Sequence, residues 1–312
     1  MLKSIRTLTV VVFLVGLPAA AFARAPQLEQ LTVQVDGQPL TLWARVVPRP
    51  RGVVVLVHGR TWSALPDFDL QVPGEQRSIM QALNKRGFSA YALDLRGYGK
   101  SPRDATGWLT PDVAANDVAV VLTWLAQAKK VSRPTLFGWS MGSLVVQLTA
   151  QRHPELISNL VLYGYPRDAS ATPSKAISTP DQPPREPNTT ENAKSDFISP
   201  AVTSTKTVDA YVAAALAADP IRVDWRALEQ YAELDPAKVA VPTLLLHGER
   251  DPLAPVEAQS HLFTKLGNPD RQWVILAGGD HAALLEDTAP ALIAAVVNFV
   301  ERPVRKSDEV TK

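Results

Sequence analysis

The chain has 312 residues, with 32 Lys and Arg against 31 Asp and Glu, so its net charge is only +1. Such a balance supplies no strong global field to draw the protein to nucleic acid or to an anionic membrane. There is no cysteine, which excludes disulfides, thiolate nucleophiles and cysteine-based metal sites while leaving the redox compartment open.

The chain opens with Lys3 and Arg6, an apolar run from Leu8 to Leu17, then Pro18 and the small residues Ala19 to Ala25. This order predicts a secretory signal peptide over residues 1–23, cleaved after Ala21-Phe22-Ala23 to start the mature chain at Arg24 in the periplasm or outside the cell. The apolar run is too short to span a bilayer. No cysteine follows it to carry a lipid, so no stable membrane anchor is expected after cleavage. The remainder is long enough for one large α/β domain or two small ones.

Leu28 to Val35 and Gln38 to Val46 have strand-like content around Asp36-Gly37, a pair suited to a type I′ hairpin turn. Short apolar runs follow at 52–57, 89–93, 135–137, 160–163, 243–246 and 273–277, the pattern of strands buried on both faces. Helical patterns lie between them. After Thr110-Pro111, a cap and first-turn pair, Val118, Val121, Leu122 and Leu125 fall on one helical face. Leu292, Ile293, Val296, Val297 and Val300 make a second such stripe. Strands alternating with helices predict a largely parallel sheet covered on both sides.

Residues 165–240 interrupt this alternation. Their first half is rich in Pro, Ser and Thr, with seven prolines from Pro166 to Pro200, and no packed core is expected there. Residues 208–218 and 223–234 are read as two short helices. A loop this long in a compact domain predicts a lid over an active site, or otherwise a flexible insertion. Asn188-Thr189-Thr190 matches a glycosylation sequon, a weak signal by itself.

The chemistry is concentrated in a few short motifs. An apolar strand, Thr135-Leu136-Phe137, runs directly into Gly138-Trp139-Ser140-Met141-Gly142 and then a helix-capable apolar stretch, the setting of a nucleophile elbow. The turn lifts the Ser140 Oγ clear of the sheet and demands small residues two before and two after it, which Gly138 and Gly142 supply. Val53 to Val57 ends in His58-Gly59-Arg60-Thr61-Trp62, a glycine-containing loop able to expose N–H groups. The backbone amides of Arg60 and Met141 are therefore the candidate oxyanion donors.

Of five histidines, His281 alone lies in a loop after the last predicted strand, in Gly278-Gly279-Asp280-His281. This position makes it the candidate general base. His58, His153, His247 and His261 are read as structural. Asp251, in the loop after Thr243 to Leu246, is the candidate orienting acid, with Glu249 as its main competitor. Asp280 is expected to point away from its neighbour.

The order Ser140, Asp251, His281, together with Asp94-Leu95-Arg96-Gly97-Tyr98-Gly99-Lys100-Ser101 after the fourth strand, resembles the serine-nucleophile, capped branch of the α/β-hydrolase superfamily over nearly the whole mature chain. The resemblance implies an eight-stranded, mostly parallel sheet flanked by helices, built from residues 24–164 and 241–312, with a cap at 165–240 inserted after the sixth strand. It implies ester hydrolysis through an acyl-enzyme. Peptide or amide cleavage, carbon–carbon hydrolysis and cofactor-free perhydrolysis use the same triad, and a noncatalytic binding module could keep the same fold. A small-molecule substrate is expected, with no cofactor, metal or nucleic-acid partner. Arg60 and Thr61 depart from the aromatic or small residues common at those loop positions. Gly97-Tyr98-Gly99 lacks the further glycine and helix start of a dinucleotide site.

Overall fold

The computed structural model describes residues 26–171 and 180–303. The expected signal peptide lies outside them. Eight strands form one sheet: β1 (Glu29–Val35), β2 (Gln38–Arg45), β3 (Gly52–Val57), β4 (Phe88–Leu93), β5 (Thr135–Trp139), β6 (Asn159–Tyr163), β7 (Thr243–Gly248) and β8 (Arg271–Leu276). The spatial order is β1-β2-β4-β3-β5-β6-β7-β8. β2 pairs antiparallel with β1 and β4, and every pairing from β4 to β8 is parallel. The fold is therefore α/β with a mixed, mostly parallel eight-stranded sheet. Asp36 (φ 49°) and Gly37 (φ 78°) both take positive φ at the β1–β2 turn, as a type I′ hairpin requires.

The helices are α1 (Ala64–Phe68), α2 (Ile79–Lys85), α3 (Pro111–Ala128), α4 (Met141–Arg152), α5 (Thr190–Lys194), α6 (Thr205–Ala218), α7 (Val256–Lys265) and α8 (Ala289–Glu301). Pro111 occupies the first turn of α3, and the Thr110 hydroxyl accepts from Val113 N at 3.3 Å, closing an orphan donor at the helix start. The central strands alternate between two cores, as period-two side chains must. Val55 and Val57 of β3 join α3 and α4 on one face. Val54 and Leu56 join α2 and α8 on the other.

Three expectations are corrected. Residues 271–276 are the edge strand, and all but Leu276 keep some solvent exposure, because β8 has a neighbour on one side only. Residues 223–234 do not form an α-helix. Asp224–Trp225 pairs with Trp108–Leu109, and Leu228–Glu233 is a 3-10 helix. Val223 and Trp225 alternate as a strand does, while Leu228, Tyr231 and Leu234 recur every three residues, the period of a 3-10 helix.

The β6–β7 segment carries α5 and α6. Its Ala193, Tyr211 and Ala215 are fully buried in the core shared with α1, α2 and α8, so part of the proline-rich half does pack. Among the described residues, no helix is long and apolar enough to cross a membrane.

Candidate active site

In parallel strands every C-terminus lies on the same edge, so the turns after β3, β5, β7 and β8 converge. Ser140 sits between β5 and α4 at φ 53° and ψ −124°, a conformation sparsely populated by residues with a side chain. Packing enforces it. A Cβ on Gly138 would lie 2.4 Å from the Gly142 carbonyl oxygen, and one on Gly142 would lie 2.3 Å from the His58 carbonyl oxygen. Ser140 N donates to Tyr163 O at 2.9 Å, and Ser143 N to Ser140 O at 2.8 Å. Met141 is the first residue of α4, so its N–H is among those left without an intrahelical acceptor.

His281 is held at its backbone and at its ring. Its carbonyl accepts from Trp139 Nε1 at 2.9 Å and from the Tyr163 hydroxyl at 2.8 Å. Its Nδ1 meets Asp251 Oδ2 at 2.8 Å. The other oxygen of Asp251 accepts from Leu253 N at 2.9 Å and Ala254 N at 3.2 Å. With Asp251 buried and both its oxygens engaged, Nδ1 carries the proton and Nε2 is left as the free, basic nitrogen.

The two competing carboxylates are occupied elsewhere. Glu249 is exposed and accepts from Gly278 N at 2.7 Å. Asp280 points away from His281, accepting from Ser199 N at 2.5 Å and Ala282 N at 2.8 Å. Beside it, Glu286 is wholly buried, and burial with the adjacent Asp280 pushes its carboxyl up to about 9.

The His58 ring braces the oxyanion loop. Leu95 N donates to its Nε2 at 3.0 Å, which places the proton on Nδ1, 2.8 Å from Gly59 O. Burial draws the imidazole down to about 4, so it stays neutral. Asp94 gathers the neighbouring loop, accepting from Trp43 Nε1, Ala64 N and Lys100 N, and burial raises its carboxyl to about 6. His247 lies against Trp273 with Nδ1 2.9 Å from Gly248 O, His261 pairs with Asp168 at 2.9 Å, and His153 lies 3.5 Å from Glu155.

Ser140 and His281 face one cavity of about 260 Å³, together with Gly59, Arg60, Met141 and Trp139. Three further cavity residues escaped the sequence reading, Asp67, Asp196 and Leu253, while Trp62 was read only as the end of the oxyanion loop. Asp196 comes from the β6–β7 segment. Gly164, after β6, was missed too. A Cβ there would crowd His281 Cε1 at 3.0 Å and stand 3.4 Å from Asp251 Oδ2. Among the described residues, no group of three or more His, Asp or Glu is arranged to hold a metal ion.

The model of the serine aminopeptidase, S33, family matches residues 48–288, more than two thirds of the chain. The chain belongs to this family. It is a serine hydrolase of the α/β-hydrolase fold. It is 26% identical over 266 residues to a monoacylglycerol lipase of Mycolicibacterium smegmatis, covering 80% of this chain and 88% of the relative. It is 29% identical over 251 residues to the serine hydrolase BPHL of Mus musculus, covering 76% and 75% of the two chains. The thioesterase domain from the curacin biosynthetic pathway superposes with a TM-score of 0.63 at 20% identity, covering 87% of this S33-family chain and 99% of that domain. At that identity the likeness is one of fold.

Proposed function

We propose that the protein is an exported carboxylic ester hydrolase working through an acyl-enzyme. The observation that carries this reading is the 2.8 Å contact between His281 Nδ1 and Asp251 Oδ2, at a cavity that Ser140 also lines. In the first step His281 Nε2 takes the hydroxyl proton as Ser140 Oγ attacks the ester carbonyl. The backbone amides of Met141 and Arg60 receive the developing oxyanion, and the imidazolium returns its proton to the departing alcohol. In the second step His281 activates water, which releases the acid and restores Ser140. Asp251 fixes the tautomer and stabilises the imidazolium.

The ester assignment is supported by the monoacylglycerol lipase among the relatives. The cavity, at about 260 Å³, is at the small end for ligand sites and favours a small acyl or alcohol part. Residues 165–240 act in this reading as a lid, since Pro166 and Asp196 line the cavity. Export rests on the pattern of residues 3–25.

Ser140→Ala is expected to abolish turnover of a short p-nitrophenyl ester and labelling by a fluorophosphonate while melting like the wild type. Undiminished turnover by the pure, folded variant would sink the assignment. A panel of esters, amides and peptides on the same two proteins separates an esterase from a peptidase or amidase.

A further inference from the structure

Outside the Ser140, Asp251 and His281 set, three side chains meet at the cavity. Asp67 of α1 is 1% exposed and Tyr211 of α6 is fully buried. Asp196, between α5 and α6, is partly open, and both carboxyls line the cavity. The Tyr211 hydroxyl lies 3.1 Å from Asp67 Oδ1 and 3.1 Å from Asp196 Oδ2. A phenol has one proton, so it can donate to one of these oxygens only and must accept from the other. Two ionised carboxylates cannot both be satisfied, and one carboxyl must carry a proton.

The environment selects Asp67. It is enclosed by protein, with Asp196 and Asp219 adding like charge, and burial holds its carboxyl well above the usual range. Its other oxygen accepts from Gly59 N at 3.4 Å, as the carbonyl oxygen of a neutral acid can. Asp196 is also raised by burial, to about 6, with Asp280 adding to the rise and His281 and Tyr211 opposing it. The Trp62 indole lies near enough to lower Asp196, yet it falls outside hydrogen-bond geometry, and its Nε1 has no other partner among the described residues.

We propose that these groups form a proton-ordered chain, in which Asp67 donates to the Tyr211 oxygen and Tyr211 donates to the Asp196 carboxylate, so that Asp196 of the β6–β7 segment presents one negative charge to His281 and Asp67, held by Tyr211, steadies the oxyanion loop at Gly59. This rests on the acyl-transfer reading and deepens it. All three are positioning residues. The imidazolium that forms on His281 is faced by Asp251 at Nδ1 and by Asp196 across the cavity.

The test is the rate of fluorophosphonate labelling of the full chain as a function of pH, which reports Ser140 reactivity whatever the natural substrate. Asp67→Ala is expected to lose about tenfold, and Tyr211→Phe about fivefold. Asp67→Asn regains most of the rate that Asp67→Ala loses, because an amide can donate to Tyr211 and accept from Gly59 as the neutral acid does and a carboxylate cannot. Asp196→Asn removes the charge facing His281 and moves the acid limb of the profile about half a unit to lower pH. Asn at 67 as damaging as Ala, with both variants melting like the wild type, overturns the chain. So does an acid limb that stays in place in Asp196→Asn, a variant that carries the test alone should Asp67→Ala fail to fold. Absence of labelling in the wild type instead overturns the acyl-transfer reading itself.

Discussion

In the loops at the C-terminal edge of the sheet, the backbone does most of the positioning. Ser140 is fixed by its own φ and by two glycines that touch main chain, and His281 by two donors to its carbonyl. In the β6–β7 segment single side chains reach across instead. Asp219 accepts from Ser63 N and Gly99 N, both at 2.8 Å. Tyr211 meets Asp67, and Ser199 N meets Asp280. A backbone-determined site is insensitive to most neighbouring substitutions and intolerant of a few. A region held by individual polar contacts can loosen one contact at a time.

The sharpest way to break this contrast is at the acid. Asp251→Asn keeps the shape of the side chain but invites the wrong imidazole tautomer, with an expected loss of about 10⁴-fold in kcat. Glu249→Gln is expected to change kcat by less than about threefold, since Glu249 only accepts from Gly278 N at the surface. Steady-state kinetics on the two variants decides the assignment. A larger loss at 249 than at 251 would move the acid one turn of loop away.

That distinction shows what the sequence could and could not reveal. The elbow was legible because a Cβ at Gly138 or Gly142 would come within 2.5 Å of main chain, which leaves room for glycine alone, and steric demands of this kind appear as residue identity. His281 and Asp251 were legible from position, each in the loop after a predicted strand. Asp67, Asp196 and Tyr211 carry no such mark. Asp67 lies in an unremarked five-residue helix, and its partner Tyr211 is 144 residues away, so only the completed fold brings them together. The 3-10 stretch at 228–233 was misread because apolar residues spaced by three satisfy a helical template before pairing at Asp224–Trp225 is known.

The next expected effect is on the segment alone. Asp219→Ala leaves Ser63 N and Gly99 N without their acceptor, at a cost of about 1–3 kcal/mol for each buried group left unpaired. Hydrogen exchange should then rise across 180–235 while β3 to β7 stay protected. Uniform loss of protection over both regions would show that sheet and segment unfold as one unit, and the contrast between them would fall.

The last expected effect lies where the two regions join. Glu286 is buried behind Asp280, and its carboxyl is raised from an ordinary 4.5 to about 9. In the unfolded chain Glu286 ionises near its ordinary value, whereas the folded chain keeps the proton, so between these limits the native state binds more protons. Stability from this group therefore falls as pH rises from about 4.5 toward 9. Glu286→Gln carries no titrating proton and can still accept from Asp280 N, so its Tm should decline less steeply than the wild type's between pH 5 and pH 8. Because Asp280 accepts Ser199 N from the β6–β7 segment, the wild-type decline should be accompanied by faster exchange around residue 199. Parallel Tm curves for the two proteins would mean that Glu286 is already ionised in the fold, and that the tie between segment and histidine loop does not depend on its proton.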